Sequence, residues 1–309
     1  MKKTAKKAGA LDIKVQKRRD LIFYISWFFL PCLIYFFGII VINGNSILLA
    51  FKIYENGIEK WAGFNNFKEV IYDLFNDDIL TIAFKRSIWV YFVTTIITTV
   101  APLLFSYYVY KKLPGHNFFR IVLFLPTLVS YIVTLSIFKT AANWMVPDLA
   151  QKLFGIKDMM GLVSNPETAF GTALVYNLYL SFSGGLLMNL AIMNGVDESA
   201  REAAYLDGVG FFQEFWFIVL PACYKVLSIG LVTSLPTLFT NDVGMYGFFG
   251  GGGNEDIYTV GYYFFIKTLS GTQDTYPYLS AWGLLVSAIC IPVTLAGRYL
   301  VNKYGPSEE

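Results

Sequence analysis

Charge is scarce in this chain. Asp, Glu, Lys and Arg make up 15% of its 309 residues, where a soluble domain carries about 25%. The net charge of +2, with no basic run interleaved with aromatics, excludes a nucleic-acid groove. Histidine occurs once, as His116 beside Lys111 and Lys112, which leaves no partner set for a His-based triad or a catalytic metal. Cys32, Cys223 and Cys290 lie far apart, in or beside apolar runs. They show neither metal-ligand spacing nor a disulfide framework and read as small buried hydrophobes. No Gly-Lys dipeptide occurs, so the phosphate-binding loop of nucleotide hydrolases is missing. Any ATP-driven work must draw on another subunit.

What the chain has instead is apolar surface: 55% hydrophobic residues, 18% aromatics and a mean hydropathy of +0.52. About 20 apolar residues cross a bilayer core, and six stretches qualify: roughly 21–42, 84–110, 120–138, 169–193, 218–241 and 277–300. The spacing therefore predicts an all-α, six-span, multi-pass protein of the cell membrane, with a basic segment 1–20, a membrane domain 21–300 and a tail 301–309. The run from Leu21 exceeds the about 7–15 residues of a signal h-region and no small-residue cleavage site follows it, so a cleaved signal is not expected.

Six spans put both termini on one side. Lys2, Lys3, Lys6, Lys7, Lys14, Lys17, Arg18 and Arg19 crowd the N-terminus. Lys111, Lys112 and Arg120 mark the next loop on that side, Arg201 and Lys225 flank the following one, and Arg298 and Lys303 sit at the end. The positive-inside rule places both termini and these loops in the cytoplasm. The opposite connections, roughly 43–83, 139–168 and 242–276, are longer, hold most of the acids and contain turn formers such as Asn43-Gly44-Asn45 and Asn56-Gly57. Gly250 to Gly253 lacks the Lys-Ser/Thr of a phosphate cradle and reads as an outer turn or a close backbone approach. In the fourth span Asn177, Ser181, Ser183, Gly184, Gly185 and Asn189 imply a face turned to a cavity or a neighbouring helix. No span carries a mid-membrane ionisable residue, since Lys139, Lys225, Asp242 and Lys267 fall at ends or in connections. That disfavours the alternative of an ion-coupled secondary transporter. A third alternative is a permease-like sensor or scaffold.

The loop 194–218 is the polar exception. Asp197 and Glu198 stand where a helix N-terminus favours acids, Ser199 to Ala204 suit a helix, and Gly208 or Gly210 would end it. A second amphipathic piece, Phe211 to Ile218, leads to a stop at Leu220-Pro221. Such an L-shaped element is either a connector lying on the membrane or a lever fitted to a soluble motor.

Glu202-Ala203-Ala204, then Asp207-Gly208, then Ile218 and Leu220-Pro221 resemble the EAA motif of binding-protein-dependent ABC importer permeases. Trp61 to Phe67 resembles an outer element that follows the first span in sugar permeases, and Phe119-Arg120 with Leu125-Pro126 resembles the start of a core span. Gly250 to Thr259 resembles their outer Gly-Gly loop, although Asn254 stands where that loop usually has Pro and Val209 where the motif often has Ala. The likeness runs over about 20–300 and is strongest to the carbohydrate-uptake branch with its maltose-type members. It implies a type I ABC importer permease fold, with residues 194–218 as a coupling loop acting through Glu202, Ala203, Ala204, Asp207, Gly208, Leu220 and Pro221. Its implied partners are a cytoplasmic ABC ATPase dimer, a second homologous permease forming a heterodimer, an extracellular solute-binding protein, a sugar substrate and the bilayer, with no nucleic acid. The chain itself is expected to be non-catalytic and to bind no cofactor, ATP and Mg being used by the ATPase. Against the maltose-type members, Asn177, Leu180, Ser181, Thr237, Leu238 and Asn241 fall on sugar-lining positions. Only the two asparagines keep the residue type, which points to a different sugar or to a path without a firm binding site.

Overall fold

The computed structural model describes residues 2–55 and 57–305. Helix α1 (Lys2–Tyr35) continues through a π-helical turn, Phe36–Val41, into α2 (Ile42–Leu49). Strands β1 (Lys52–Glu55) and β2 (Ile58–Trp61) pair antiparallel with Lys52 opposite Trp61, and α3 (Asn65–Asn76) follows. Next come α4 (Asp78–Tyr110), α5 (His116–Leu128), α6 (Tyr131–Thr140), a π turn (Ala141–Met145), α7 (Val146–Phe154) and α8 (Pro166–Asn194). After α9 (Glu198–Leu206) come α10 (Phe211–Glu214), a π turn (Phe215–Val219) and α11 (Leu220–Ser234). The chain ends with α12 (Thr237–Thr240), α13 (Met245–Phe249), α14 (Val260–Ser270) and α15 (Tyr276–Tyr304).

Contacts divide the chain into two units, Met1–Val70 with Thr272–Leu284 and Ile71–Gly271 with Leu285–Glu309. In the first, the segment Gln16–Leu49 is apolar and buries none of its most apolar window, so its side chains have lipid or another protein as their environment. Below it Phe51 stacks on Trp61 at 5.6 Å and meets Phe64 and Phe67 edge-on or tilted. The buried amide of Asn66 donates to the carbonyls of Ala50 (2.8 Å) and Lys52 (2.7 Å), which fixes the hairpin against the start of α3. This is what the Trp61–Phe67 element does structurally.

Among the described residues, five helices are long and apolar enough to cross a membrane, and the bent pair His116–Leu128 and Tyr131–Phe154 makes a sixth if counted as one span. The span expected at 120–138 falls on this bent pair, whose axis turns by 112° where Val129 becomes extended (φ −102°, ψ 143°). Span four expected at 169–193 is α8, begun by Asn165, whose Oδ1 accepts the Glu167 N–H at 3.0 Å, with Pro166 in the first turn. Span two starts before the expected residue 84, because Asp77 caps α4 by accepting the N–H groups of Ile79 (2.9 Å) and Leu80 (3.3 Å).

Two further expectations change around the fifth span. Leu220-Pro221 is no stop. The Leu220 N–H reaches the Phe215 carbonyl in the wider π turn, so Pro221 falls in the first turn of α11, where its missing N–H is not needed. The helix Phe211–Ser234 is thus continuous from the polar loop into the membrane. It ends before residue 241, at Ser234, just ahead of Pro236.

Within the second unit α4 and α8 pack along their length. A Cβ on Gly185 would come within 3.0 Å of the Pro102 ring, so the helix axes approach closely there. Ser106 donates to the Leu186 carbonyl at 2.9 Å, and buried Ser183 donates to the Leu123 carbonyl of α5. The small and polar residues of α8 at this level therefore join helices. Two cores lie at opposite ends of α8. One gathers Tyr176, Val243, Met245, Phe248, Ile257 and Tyr262; the other gathers Leu103, Tyr107, Met193, Phe215, Val219 and Cys223.

Candidate functional site: a coupling element and a groove beside it

The α9 element is built from its caps inward. Asp197 accepts the Ser199 N–H at 3.0 Å and the Ser199 hydroxyl at 2.7 Å, and these bonds hold its carboxyl below the usual range. At the other end Asp207 is the C-cap after Leu206 and Gly208 adopts φ +77°, a left-handed turn that a side chain disfavours. The Gly208 N–H bonds the Tyr205 carbonyl at 3.1 Å and the Val209 N–H bonds that of Ala204 at 3.0 Å. Gln213 Oε1 then accepts the Gly210 N–H at 2.9 Å and starts α10.

Glu202, Ala203 and Asp207 are exposed and Ala204 is half-buried. Leu206 is 88% exposed and Phe212, across the Gly208 turn, 74% exposed. The free face is thus a carboxylate pair around an apolar tip. The reverse face of α9 points into the protein with Arg201 and Tyr205, one turn apart.

There it meets a buried charge cluster. Glu214 is 3% exposed at its side chain and its Oε2 accepts from Lys111 Nζ at 2.6 Å and from the Tyr205 hydroxyl at 3.1 Å. Lys111 also donates to the Tyr205 hydroxyl oxygen. Arg201 Nε stands 4.0 Å from Glu214 Oε1, and its guanidinium lies 5.1 Å from the centre of the Tyr110 ring. Tyr107 completes the joint by donating its hydroxyl to the Phe211 carbonyl at 2.8 Å while its ring packs on Phe211 and Phe215. Burial disfavours the Lys111 ammonium, but the hydrogen bonds with Glu214 and Tyr205 outweigh it and raise its pKa above the ordinary value. Burial of Arg201 is likewise outweighed, by Tyr110, Tyr205 and Glu214. Among the described residues, the buried side-chain polar atoms without a hydrogen-bond partner are Tyr110 Oη, Arg201 Nε, Glu214 Oε1 and Thr294 Oγ1. Three of the four belong to this cluster.

A groove of about 1130 Å³ opens between α11 and the last turns of α15, lined among others by Pro221, Lys225, Ser228, Thr233, Thr294 and Arg298. At the far end of the unit, Thr237, Leu238 and Asn241 come together with Ser87, Val90, Tyr91, Val243 and Thr259 around a cavity of about 10 Å³. That space is no larger than one water. Asn177 and Leu180 are half-buried and Ser181 exposed; none of the three lines that cavity. Asn241 has a structural duty as well: its Oδ1 accepts the N–H of Val243, a buried residue held at φ +56°. Gly253 is a close approach, since a Cβ there would lie 2.6 Å from Ile257 and from the Tyr262 hydroxyl.

The sequence motif pointed to Glu202, Ala203, Ala204, Asp207 and Gly208, which the structure unites on one exposed element. It did not point to Lys111, Arg201, Tyr205 and Glu214 as a cluster, nor to Leu206 and Phe212 as its apolar tip. The available signal for Glu214 was a single acid set among Phe211, Phe212, Phe215 and Trp216, where an isolated charge needs a partner.

Known proteins are similar to this chain. The maltose/maltodextrin transport system permease protein MalF of Klebsiella aerogenes is 29% identical over 188 residues, 59% of this chain and 36% of MalF. The chain thus spans little more than a third of that relative's length. Protein LplB of Bacillus subtilis (strain 168) is 22% identical over 301 residues, covering 90% of this chain and 89% of LplB. A solved bacterial alginate ABC transporter, in complex with an alginate pentasaccharide-bound periplasmic protein, has a chain that superposes with a TM-score of 0.74 at 18% identity. That match covers 93% of this chain and 96% of the other and establishes a shared fold. Residues 111–305, from Lys111 through α9 to the residue after α15, match the family model itself, and the chain belongs to the binding-protein-dependent transport system inner membrane components.

Proposed function

We propose that this chain is the membrane-spanning permease subunit of an ATP-driven importer for a sugar or oligosaccharide. The observation that carries the proposal is α9: a nine-residue helix, capped at both ends, exposed on one face and anchored on the other to the ends of the membrane helices. Such an element transmits a push as a rigid body. In this reading α9 and both termini face the cytoplasm, where the excess of Lys and Arg lies. Its tip, with Glu202, Ala203, Leu206 and Asp207, docks on a separate ATPase that supplies ATP hydrolysis with Mg. Gly208 sets the angle between tip and span.

The saccharide reading is supported by the maltose/maltodextrin permease among the relatives and the alginate pentasaccharide in the solved neighbour. A solute-binding protein delivers the substrate at the α13 end, and a second, homologous permease supplies the other half of the path. The α13 end is closely packed around its 10 Å³ cavity, while the groove between α11 and α15 is open. Thr237, Leu238 and Asn241 would then part when the outer end opens, and Asn177, Leu180 and Ser181 would line the path further along.

Purification of the tagged chain from its native membranes tests the proposal. The expected companions are an ATPase, a second permease and a solute-binding protein carrying a saccharide. Isolation of an ATPase-free protein that still moves its solute would refute it. Asn177→Ala is expected to impair uptake without altering folding, whereas Asn241→Ala loses the turn bond to Val243 and lowers stability as well.

A further inference from the structure

We propose that Glu214 is the positioning residue of the coupling element. Its carboxylate is a clamp through which Lys111 on the α4 end and Tyr205 and Arg201 on α9 share one anchor. The inference rests on the coupling role given to α9 above and says which contact makes that coupling stiff.

Two glycine-containing links, each with backbone bonds of its own, otherwise hold α9: Gly195-Val196 before it and Gly208-Val209-Gly210 after it. A Cβ at Gly208 would meet nothing within 4 Å, so no packing stiffens that side. A push on the tip would be spent as rotation about these links unless the reverse face is fixed. The clamp fixes it at one buried point, because Glu214 Oε2 takes bonds from Lys111 and from Tyr205 together. Phe215 and Val219, directly after Glu214, sit in the core with Leu103, Tyr107 and Met193. Motion of α9 is thereby handed to α4 and to the fifth span at once.

The clamp also has slack. Arg201 Nε and Glu214 Oε1 are both buried, both unpartnered and 4.0 Å apart. Unsatisfied buried polar atoms are uncommon and costly, and here they face each other. A tilt of α9 by about 1 Å would bring the pair into hydrogen-bond range. Docking of the tip supplies that tilt, so the clamp has a loose and a tight setting.

Nitroxide labels at Glu198→Cys on α9 and Phe118→Cys on α5 report the clamp in the assembled complex; both positions are exposed and outside the docking tip, and exposed Cys32 is replaced by serine. Wild type is expected to give a narrow distance distribution, and Glu214→Ala a broad one in the folded, assembled fraction. Glu214→Asp restores part of the width, and Lys111→Arg keeps it narrow. Where Glu214→Ala fails to assemble, Glu214→Gln and Lys111→Met serve, since both keep the volume of the site. In the same preparations, stimulation of ATP hydrolysis by the solute-binding protein falls by about tenfold in the broadened variants, within the ordinary range of coupling energies. An unchanged width in Glu214→Ala and Glu214→Gln overturns the clamp. A broadened width with undiminished stimulation overturns the coupling role of α9 and leaves the clamp standing.

Discussion

The two ends of the bundle solve the same problem, closing a helical membrane unit, with different chemistry. At the α13 end the core is aromatic and neutral. Tyr176, Phe248 and Tyr262 pack with Phe138; Lys139 donates to the Phe248 carbonyl at 2.6 Å, and Arg86 donates to the Tyr258 carbonyl at 2.8 Å while its guanidinium lies 5.2 Å from the centre of the Phe170 ring. Its loops run so close that a Cβ on Gly261 would lie 2.7 Å from the Asn241 and Thr240 backbone. At the α9 end a smaller core is joined by an ion cluster whose hydrogen bonds are incomplete. Dense neutral packing has one good arrangement and resists small shifts. An under-satisfied charge cluster between glycine links has two near-equal ones. The difference suits a gate at one end and a drive point at the other.

That contrast can be broken by substitution. The largest effect is expected from Tyr262→Ala at the α13 end, where a fully buried ring and its hydrogen bond to the Gly250 carbonyl are lost. A cost of about 3–5 kcal/mol should appear as a marked drop in the thermal midpoint of the detergent-solubilised complex. Next, Lys111→Met strands the buried Glu214 carboxylate and should cost about 1–3 kcal/mol. Adding Glu214→Leu should recover much of that stability, since an apolar pair replaces a buried ion pair at little cost, while transport stays low. Recovery of transport along with stability would mean that the α9 end is only another core.

The smallest effect on stability is expected from Gly208→Asp. The residue is exposed with open space around it, so the cost is that of a left-handed side chain, about 1–2 kcal/mol. Its effect on function is the reverse: membrane insertion persists, measured by the yield of folded protein, and uptake is lost. Retained uptake would deny α9 the role of a lever.

The membrane spans and the α9 element were legible because their rules are local. Lipid demands about 20 apolar residues in a row, and Asp197 with Glu198 ahead and Gly208 behind delimit a helix by its caps. The bend between α5 and α6 was not legible, since Ser130, which stands at the N-cap of α6, is a single polar residue in an apolar run and Pro126 lies inside the helix before the bend. Leu220-Pro221 looked like a stop because a proline reads as a breaker until a π turn supplies the missing register. The charge cluster depended on Lys111 meeting Glu214 across a long stretch of sequence, and no local pattern announces such a pairing. Asn241 stood out as a polar residue near the end of the fifth span, yet its hydrogen bond to Val243 belongs to a turn that the apolar pattern did not reveal.

The most direct test of the account reconstitutes the assembled complex in liposomes and measures ATP hydrolysis with and without its solute-binding protein, for wild type and for Gly208→Asp. The account predicts strong stimulation in wild type and none in the variant, with this subunit inserted and assembled in both. Equal stimulation in the two would contradict it.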